Sequence, residues 1–160
     1  MIIVTEPSKD LSLNKMSENR DENFHSAVVA FNEGQLGIAL QYFIDALQSP
    51  FLGGNNNDGL ILNNIATVYN KLGDYNNAVN YYERAIACGL RNEDIFFSLA
   101  IQHVHLRDNH KALVVYDMIV YNYPISGKAY YLRGKHHQRM KNFTKQNQDF
   151  GMAASLNYYG

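Results

Sequence analysis

Residues 59–92 read GLILNNIATVYNKLGDYNNAVNYYERAIACGLRN and show a clear helical pattern in each half. Apolar and small side chains recur every three or four residues in each half, first from Leu62 onwards and again from Ala78 onwards. That spacing is typical of an amphipathic α-helix of about a dozen residues. Gly73-Asp74 lies between the halves and breaks the pattern. The stretch therefore predicts two helices joined by a tight turn.

The same pattern returns with a period of 34 residues. Blocks 59–92, 93–126 and 127–160 follow one another directly, and a weaker block, 20–53, precedes them, separated by five extra residues at 54–58. Residues that share a column are mostly alike in size and polarity. They are Leu62, Phe96 and Tyr130; Ile65, Leu99 and Arg133; Ala27, Ala66, Ala100 and Gly134; Ala39, Ala78 and Ala112; Phe43, Tyr82, Tyr116 and Phe150; and Ala46, Ala85, Ile119 and Ala153.

The period and the columns together resemble the tetratricopeptide-repeat (TPR) family, in which large, small and aromatic residues recur at these places. The resemblance implies an all-α fold, a right-handed α-solenoid of four helix-turn-helix repeats with about eight antiparallel helices. The repeat domain would comprise residues 20–160. Residues 1–19 would then form a flexible N-terminal segment.

Individual residues are expected to shape these repeats. Small Ala66 and Ala78 let the paired helices approach closely, Tyr82 fills the space beside them, and Gly89 ends the second helix with a positive φ. Gln146 stands where the other blocks have alanine, so the final helix should be more polar, as suits a terminal repeat. Block four either caps itself, or packs on a second copy or on residues missing from this chain.

Charge is balanced overall but not along the chain. Fourteen Lys and Arg against fifteen Asp and Glu give a formal charge of −1, which argues against nucleic acid or an anionic membrane as partner of the whole surface. Residues 1–59 carry eight acids and three bases, whereas residues 127–148 carry six bases and no acid. The basic stretch is interpreted as a solvated face, with an acidic protein partner or nucleic acid as alternatives. Tyr130 and Phe143 within it are expected to be core residues.

Other sequence features exclude several classes of site and compartment. Cys88 is the only cysteine, so neither an intramolecular disulfide nor a Cys-rich zinc site can form, and a reducing compartment fits best. Residues 1–10 do not read as a signal peptide, and no apolar run is long enough to span a membrane. The chain is therefore expected to be cytoplasmic.

Metal, nucleotide and catalytic sites are not expected. No two of the six histidines have the i, i+4 spacing that places both on one helix face, and His103 and His137 replace the packing aromatic Tyr69. Residues 126–128 (SGK) lack the earlier glycine and the following hydroxyl of a phosphate loop. No recognisable motif places a serine or cysteine nucleophile. The chain is thus predicted to be no enzyme and to bind no metal or cofactor.

The TPR resemblance implies that the first helices of successive repeats line a concave groove that binds a partner protein. Side chains beside the packing columns would point into it, and its floor would change from apolar to basic along the stack. The groove residues are then Phe24, Val28 and Phe31; Asn63, Asn64, Thr67 and Lys71; Phe97, Ser98, Ile101 and His105; and Lys128, Tyr131, Lys135 and Arg139.

Four of these, Phe24, Phe97, Ile101 and Tyr131, would be exposed apolar anchors unless they pack on the N-terminal segment or a neighbouring helix. Residues 1–19 could themselves lie in the groove as a removable occupant. A clamp for the acidic tail of chaperones, which some family members build on three successive repeats, is not expected. Its charged positions are mostly unfilled here, and a carboxylate needs those charge-assisted hydrogen bonds to offset its desolvation.

Three functions stay open at this point. The first is an adaptor or scaffold that binds an extended or helical segment of another protein through apolar anchors and a basic end. The second is a small secretion-type chaperone that keeps hydrophobic cargo soluble. The third is a self-assembling structural protein, a homodimer or a longer array joined head to tail through the opposite charges of its two ends.

Overall fold

The computed structural model describes residues 9–49 and 58–160, which form eight α-helices and no strand. The helices are α1 (Lys9–Asn32), α2 (Leu36–Gln48), α3 (Asp58–Leu72), α4 (Tyr75–Ala87), α5 (Glu93–His105), α6 (Asn109–Asn122), α7 (Gly127–Arg139) and α8 (Phe143–Ser155). Consecutive helices pack in pairs, one pair to each predicted block. The predicted all-α helix-turn-helix organisation is therefore confirmed. None of the described helices is long and apolar enough to cross a membrane.

The N-terminal boundary differs from the prediction. Helix α1 is 24 residues long and begins at Lys9, so residues 9–19 are helical where the sequence predicted a flexible segment. Those residues are mostly polar, which is why their sequence does not indicate a helix. Residues 1–8 lie outside the described residues. Of the predicted insertion at 54–58, only Asp58 is described, and it is the first residue of α3.

The turn inside each of the last three repeats pairs one residue of positive φ with a helix-capping side chain. Gly73 has a φ of 77°, and the carboxylate of Asp74 accepts a hydrogen bond from the backbone N–H of Asn77 at 3.1 Å. Arg107 and Lys141 replace the glycine in the following repeats, at φ of 58° and 57°. The cap satisfies one of the unpaired N–H groups at the start of the second helix. The turn predicted at Gly73-Asp74 is confirmed.

The chain divides into two compact units, unit 1 (residues 1–90) and unit 2 (residues 91–160). In unit 1, Ala66, Ala78 and Tyr82 are buried, which confirms the predicted close packing of α3 on α4. Gly89 follows α4 with a φ of 93°, also as predicted. A single apolar cluster joins the two repeats of this unit. Its buried members are Ala27, Ala30, Ala39, Phe43, Ala46, Ile61, Ile65 and Val68.

Unit 2 uses the same packing columns and adds buried polar side chains. His103 and His137 are buried in the packing column that their alignment predicted. Gln102 and His136, their neighbours in sequence, are buried as well. The buried apolar residues of the unit are Ile95, Phe96, Phe97, Leu99, Ala100, Ala112, Val115, Tyr116, Ile119, Ala129 and Ala153.

Helix α8 has only two buried residues, Asp149 and Ala153, fewer than any of α2 to α7, as suits a terminal repeat. Phe143, predicted to be a core residue, is 62% exposed at the start of α8, so that prediction was wrong. In the first block the residue at the same place, Leu36, packs against the core that α2 shares with α3. Among the described residues, no later helix follows α8 to cover Phe143 in that way.

In two repeats the segment after the second helix returns to the start of the first helix of the same repeat. A Cβ on Gly127 would lie 2.5 Å from the Cβ of Tyr158, and a Cβ on Gly59 would lie 3.1 Å from the Cβ of Leu90. Both glycines open their blocks, so the same close approach recurs in two repeats. A larger residue at either place would push the returning segment away.

Two glycines of the last repeat give a matched test of this packing. A Cβ on Gly134 would lie 2.7 Å from the ring of Phe150, whereas a Cβ on Gly151 would meet nothing within 4 Å. We expect Gly134→Ala to lower the free energy of unfolding by about 1–2 kcal/mol, because overpacking outweighs the gain in helix propensity. Gly151→Ala should raise it by about 0.5–1 kcal/mol. Urea unfolding measures both, and stabilisation by Gly134→Ala would contradict this packing.

Candidate partner-binding face

The apolar groove candidates of unit 1 are largely packed. Phe24, Val28 and Phe31 on α1 are half-buried against the apolar core. The ring of Phe24 meets the ring of Phe43 edge-on, with centroids 5.7 Å apart. Of the alternatives left open for Phe24, packing on a neighbouring helix is the one observed. These side chains support α1 on α2 and leave only part of their surface to a partner.

The polar groove candidates of unit 1 lie on α3. Asn63, Asn64 and Thr67 are half-buried. The hydroxyl of Thr67 donates to the backbone carbonyl of Asn63 at 2.9 Å and lies 3.3 Å from the hydroxyl of Tyr82. The Thr67 hydroxyl is therefore engaged within the repeat, and all three side chains lie on one face of α3.

Lys71 ends this face with an exposed cation. Its ammonium lies 5.3 Å from the centroid of the Phe31 ring, within cation–π range. The two side chains border an open hollow of about 500 Å³. The other residues lining it are Asn32, Gly34 and Leu36. Unit 1 thus presents a cation over an apolar ring at the edge of this hollow.

Phe97 in unit 2 is not the exposed anchor that the sequence predicted. Its side chain is only 4% exposed, and the ammonium of Lys128 lies 4.3 Å from its ring centroid. The same ammonium is 4.0 Å from a carboxylate oxygen of Asp94. Ser98 donates its hydroxyl to the backbone carbonyl of Asp94 at 2.9 Å. Alignment fixes the backbone position of Phe97, but not the lysine of the next repeat that lies over its ring.

Tyr131 is also covered in part. Its ring lies between those of Phe150 and Tyr158, with centroids 5.5 and 5.6 Å away. Gly160 lies so close to the ring that a Cβ there would clash with it. The ammonium of Lys135 is 5.6 Å from the ring centroid. Tyr131 is therefore a support beneath the basic side chains of α7 rather than a projecting anchor.

The accessible part of unit 2 is a surface that we call the α5–α7 face. Ile101 is 42% exposed, as predicted for an apolar anchor. On each helix the members are four or seven residues apart, so they form one stripe along it. Contact between the two helices is made by Lys128 with Phe97. The α5–α7 face consists of Ile101, His105, Lys128, Lys135 and Arg139.

The lysine and arginine side chains of this face have few close ion pairs with the described residues. Among the described residues, neither Lys135 nor Arg139 has a carboxylate within ion-pair distance. Lys128 has only its 4.0 Å contact with the exposed Asp94. Clustered cations without counter-charges raise the local concentration of anionic groups. The face is suited to a ligand that carries carboxylates.

Arg133 belongs to a charged cluster that the sequence reasoning missed. It occupies the column of Ile65 and Leu99, yet its Nε and Nη2 donate to both carboxylate oxygens of Asp149, at 2.9 and 2.6 Å. Its Nη1 donates to Asp117 at 2.8 Å. The hydrogen bonds that the guanidinium donates to Asp149 raise the pKa of Arg133. The sequence does contain a signal for this cluster. Arg133 stands at an otherwise apolar position of the repeat, and burying a cation requires an acid nearby.

Removing one member of this cluster should cost more than replacing both. Asp149→Asn leaves the half-buried guanidinium of Arg133 without its main partner, so we expect a loss of about 2–3 kcal/mol in the free energy of unfolding. Arg133→Leu combined with Asp149→Val introduces the residues found at these places in the previous repeat. The pair should recover at least half of the loss. Urea unfolding compares them, and a larger loss in the double variant would contradict this assignment.

Buried histidines of unit 2 take part in packing. His136 Nε2 lies 2.9 Å from the backbone carbonyl of Asn109, and its ring centroid is 5.7 Å from that of Tyr116. His137 Nε2 lies 3.8 Å from a carboxylate oxygen of Asp149. Burial lowers the pKa of His137, and the charge of Asp149 opposes this only in part. Within residues 9–49 and 58–160, no group of three His, Cys, Asp or Glu could hold a metal ion.

The lowered pKa of His137 predicts a pH dependence of stability. The folded protein binds this proton less tightly than the unfolded chain, whose histidine pKa is about 6.5, so stability is lost as pH falls below that value. We expect the melting temperature to fall between about pH 7.5 and 5.5, and to fall less in His137→Gln. Calorimetry at several pH values measures both proteins. Identical profiles would show that His137 does not contribute.

Family and structure comparisons agree with this architecture. Residues 23–89 match the family model described as tetratricopeptide repeat. The structure is similar to that of a tetratricopeptide repeat protein from Parabacteroides merdae ATCC 43184, with 22% identity, 88% of this chain covered and a TM-score of 0.81. This chain spans 54% of that protein, about half of its length. No curated protein sequence matches the chain.

Two solved structures of MamA are also similar. One has 14% identity and a TM-score of 0.77, over 92% of this chain and 84% of that one. The other, MamA 41-end from Desulfovibrio magneticus RS-1, has 19% identity and a TM-score of 0.74, over 88% of this chain and 77% of that one. At these identities the likeness concerns the fold alone. It confirms the predicted fold class, an all-α solenoid of tetratricopeptide repeats.

Proposed function

We propose that the α5–α7 face binds a carboxylate-bearing segment of a partner protein; the tetratricopeptide-repeat fold supports a protein-interaction module in general. The observation that carries the proposal is the pair Lys135 and Arg139, two exposed cations on one stripe of α7 with no acid in ion-pair contact in the described chain. Tetratricopeptide-repeat proteins are in general non-enzymatic scaffolds, and the proposal assigns no reaction and no cofactor.

The α5–α7 face offers a partner both charge and apolar surface. Ammonium and guanidinium groups form charge-assisted hydrogen bonds with carboxylates, about twice as strong as neutral ones. Ile101, which is exposed on α5, adds an apolar contact. A segment that is disordered before binding loses conformational entropy, so the affinity should be roughly micromolar and should fall with added salt.

The spacing of the cations favours one arrangement of acids. Lys135 and Arg139 are four residues apart on α7, which places them about 6 Å apart along the helix axis. Alternate residues of an extended chain are about 6.6 Å apart and point to the same side. Two acids separated by one residue can therefore meet both cations, with the intervening side chain pointing away. The partner segment is expected to be extended and to contain such a pair.

The hollow of unit 1 offers a second, smaller contact of the same chemistry. Lys71 has no carboxylate within ion-pair distance among the described residues, and it stands over Phe31. An apolar side chain entering the hollow would contact Phe31 and Leu36. An acid next to that side chain would then pair with Lys71.

Fluorescence polarisation with labelled peptides of about twelve residues tests the proposal at the α5–α7 face. The three peptides have the same sequence except at every second position, where they carry Glu, Gln or Lys. We expect the Glu peptide to bind in the range of about 1–100 µM and the Lys peptide not to bind. Lys135→Glu combined with Arg139→Glu should weaken binding of the Glu peptide at least about tenfold.

Arg91→Glu combined with Lys111→Glu is the matched control. It changes the net charge by the same amount at two exposed residues of unit 2 that lie outside the α5–α7 face. This control should bind the Glu peptide like the unmodified protein. Equal binding of all three peptides, or equal weakening by the two double variants, would contradict the proposed site.

A further inference from the structure

One position of the repeat is occupied by a buried residue in the later repeats but by an exposed residue in the first. The tenth residue of each block is Val29, Val68, Gln102 or His136 in turn. Val68 is buried in the cluster that α2 and α3 share, and His136 is buried with its Nε2 2.9 Å from the carbonyl of Asn109, the first residue of α6. In both cases the cover is the second helix of the preceding repeat. Val29 is 42% exposed.

The seventeenth residue of each block is the first residue of that second helix. Leu36 is such a residue and packs against the unit 1 core, and Asn109 is another, since its carbonyl meets His136. In the last block the seventeenth residue is Phe143, which is 62% exposed. Phe143 on α8 and Val29 on α1 are therefore two unfilled halves of a contact that recurs within the chain.

The surroundings of Val29 are acidic. Glu22 is exposed and lies seven residues before Val29, two turns away on the same stripe of α1. The third column, to which Glu22 belongs, is buried at Ile61 and Ala129 in later repeats, so both residues lie on the same open side of α1. No lysine or arginine occurs between residues 21 and 49.

The surroundings of Phe143 are basic. Lys141 and Lys145 are exposed two residues before and after it. Neither has a carboxylate within ion-pair distance in the described part of the chain. Residues 127–148 contain no acid. The apolar residue of each open half is thus bordered by charges opposite to those of the other half.

We propose that α1 is covered by a second copy of this chain, whose α8 lies across it so that Phe143 of one copy packs on Val29 of the next. The contact is heterologous, since one copy uses α1 and the other uses α8, and each keeps one half open for a further copy. Apolar burial stabilises the contact, and the opposite charges set its orientation and its sensitivity to salt. It uses no residue of the α5–α7 face and is independent of the proposed function.

Sedimentation velocity on the full chain tests this assembly. The mass should rise from 18.3 kDa to multiples of it as concentration increases over about a hundredfold range, and added salt should reverse the rise. Val29→Lys and Phe143→Gln should each raise the concentration needed for association at least about tenfold. Ile38→Lys is the matched control, because Ile38 is 50% exposed in the same repeat and its column is exposed in every repeat.

A mixture of the two variants distinguishes head-to-tail contact from other arrangements. Val29→Lys keeps an intact α8 and Phe143→Gln keeps an intact α1, so an equal mixture should form a species of two chains and nothing larger. Circular dichroism first shows that both variants are as helical as the parent. The proposal is overturned by a mixture that stays at 18.3 kDa, by Phe143→Gln alone associating at the same concentrations as the unmodified protein, or by an unmodified protein that is monomeric throughout. The last result would leave α1 to a different protein.

Discussion

The two helices of a repeat pack so closely that small residues are needed where they meet. Ala66 and Ala78 have no exposed surface, and Gly134 has no room for a methyl group beside Phe150. Helices held this close present each column of side chains to the same neighbours in every repeat. The position of a residue in the repeat therefore determines most of its burial. A residue that differs in polarity from the others at its position marks an exception to this pattern.

The departures in unit 2 divide into two kinds. Arg133 replaces an apolar residue and is held inside the unit by Asp149 and Asp117, so its charge serves packing rather than recognition. Lys135 and Arg139, on the same helix, have no such acids in ion-pair contact among the described residues. Basic residues from one stretch thus differ in their ion-pair contacts, and only the contacts in the fold separate them.

The helices and turns of each repeat could be predicted from the sequence, but the contacts made by neighbouring repeats could not. The period and the Gly73-Asp74 turn are local patterns, and the helices and their pairing follow from them. Exposure of Phe97 depends on Lys128 of the next repeat, and exposure of Phe143 depends on whether another helix follows α8. The exposure of both residues was predicted wrongly, because a residue's position in the repeat reflects its own helix and not the side chains that reach it from elsewhere. The start of α1 was missed for a different reason, since its first residues are polar.

Chemical-shift mapping would test most directly whether a partner binds at the α5–α7 face. The ¹⁵N-labelled chain is titrated with the Glu-containing peptide, and amide shifts are followed for every helix. The largest changes should fall on residues 101–105 of α5 and 128–139 of α7, with smaller changes on α6 and α8. Largest changes around Lys141 and Lys145, or shifts spread evenly over both units, would contradict binding at this face.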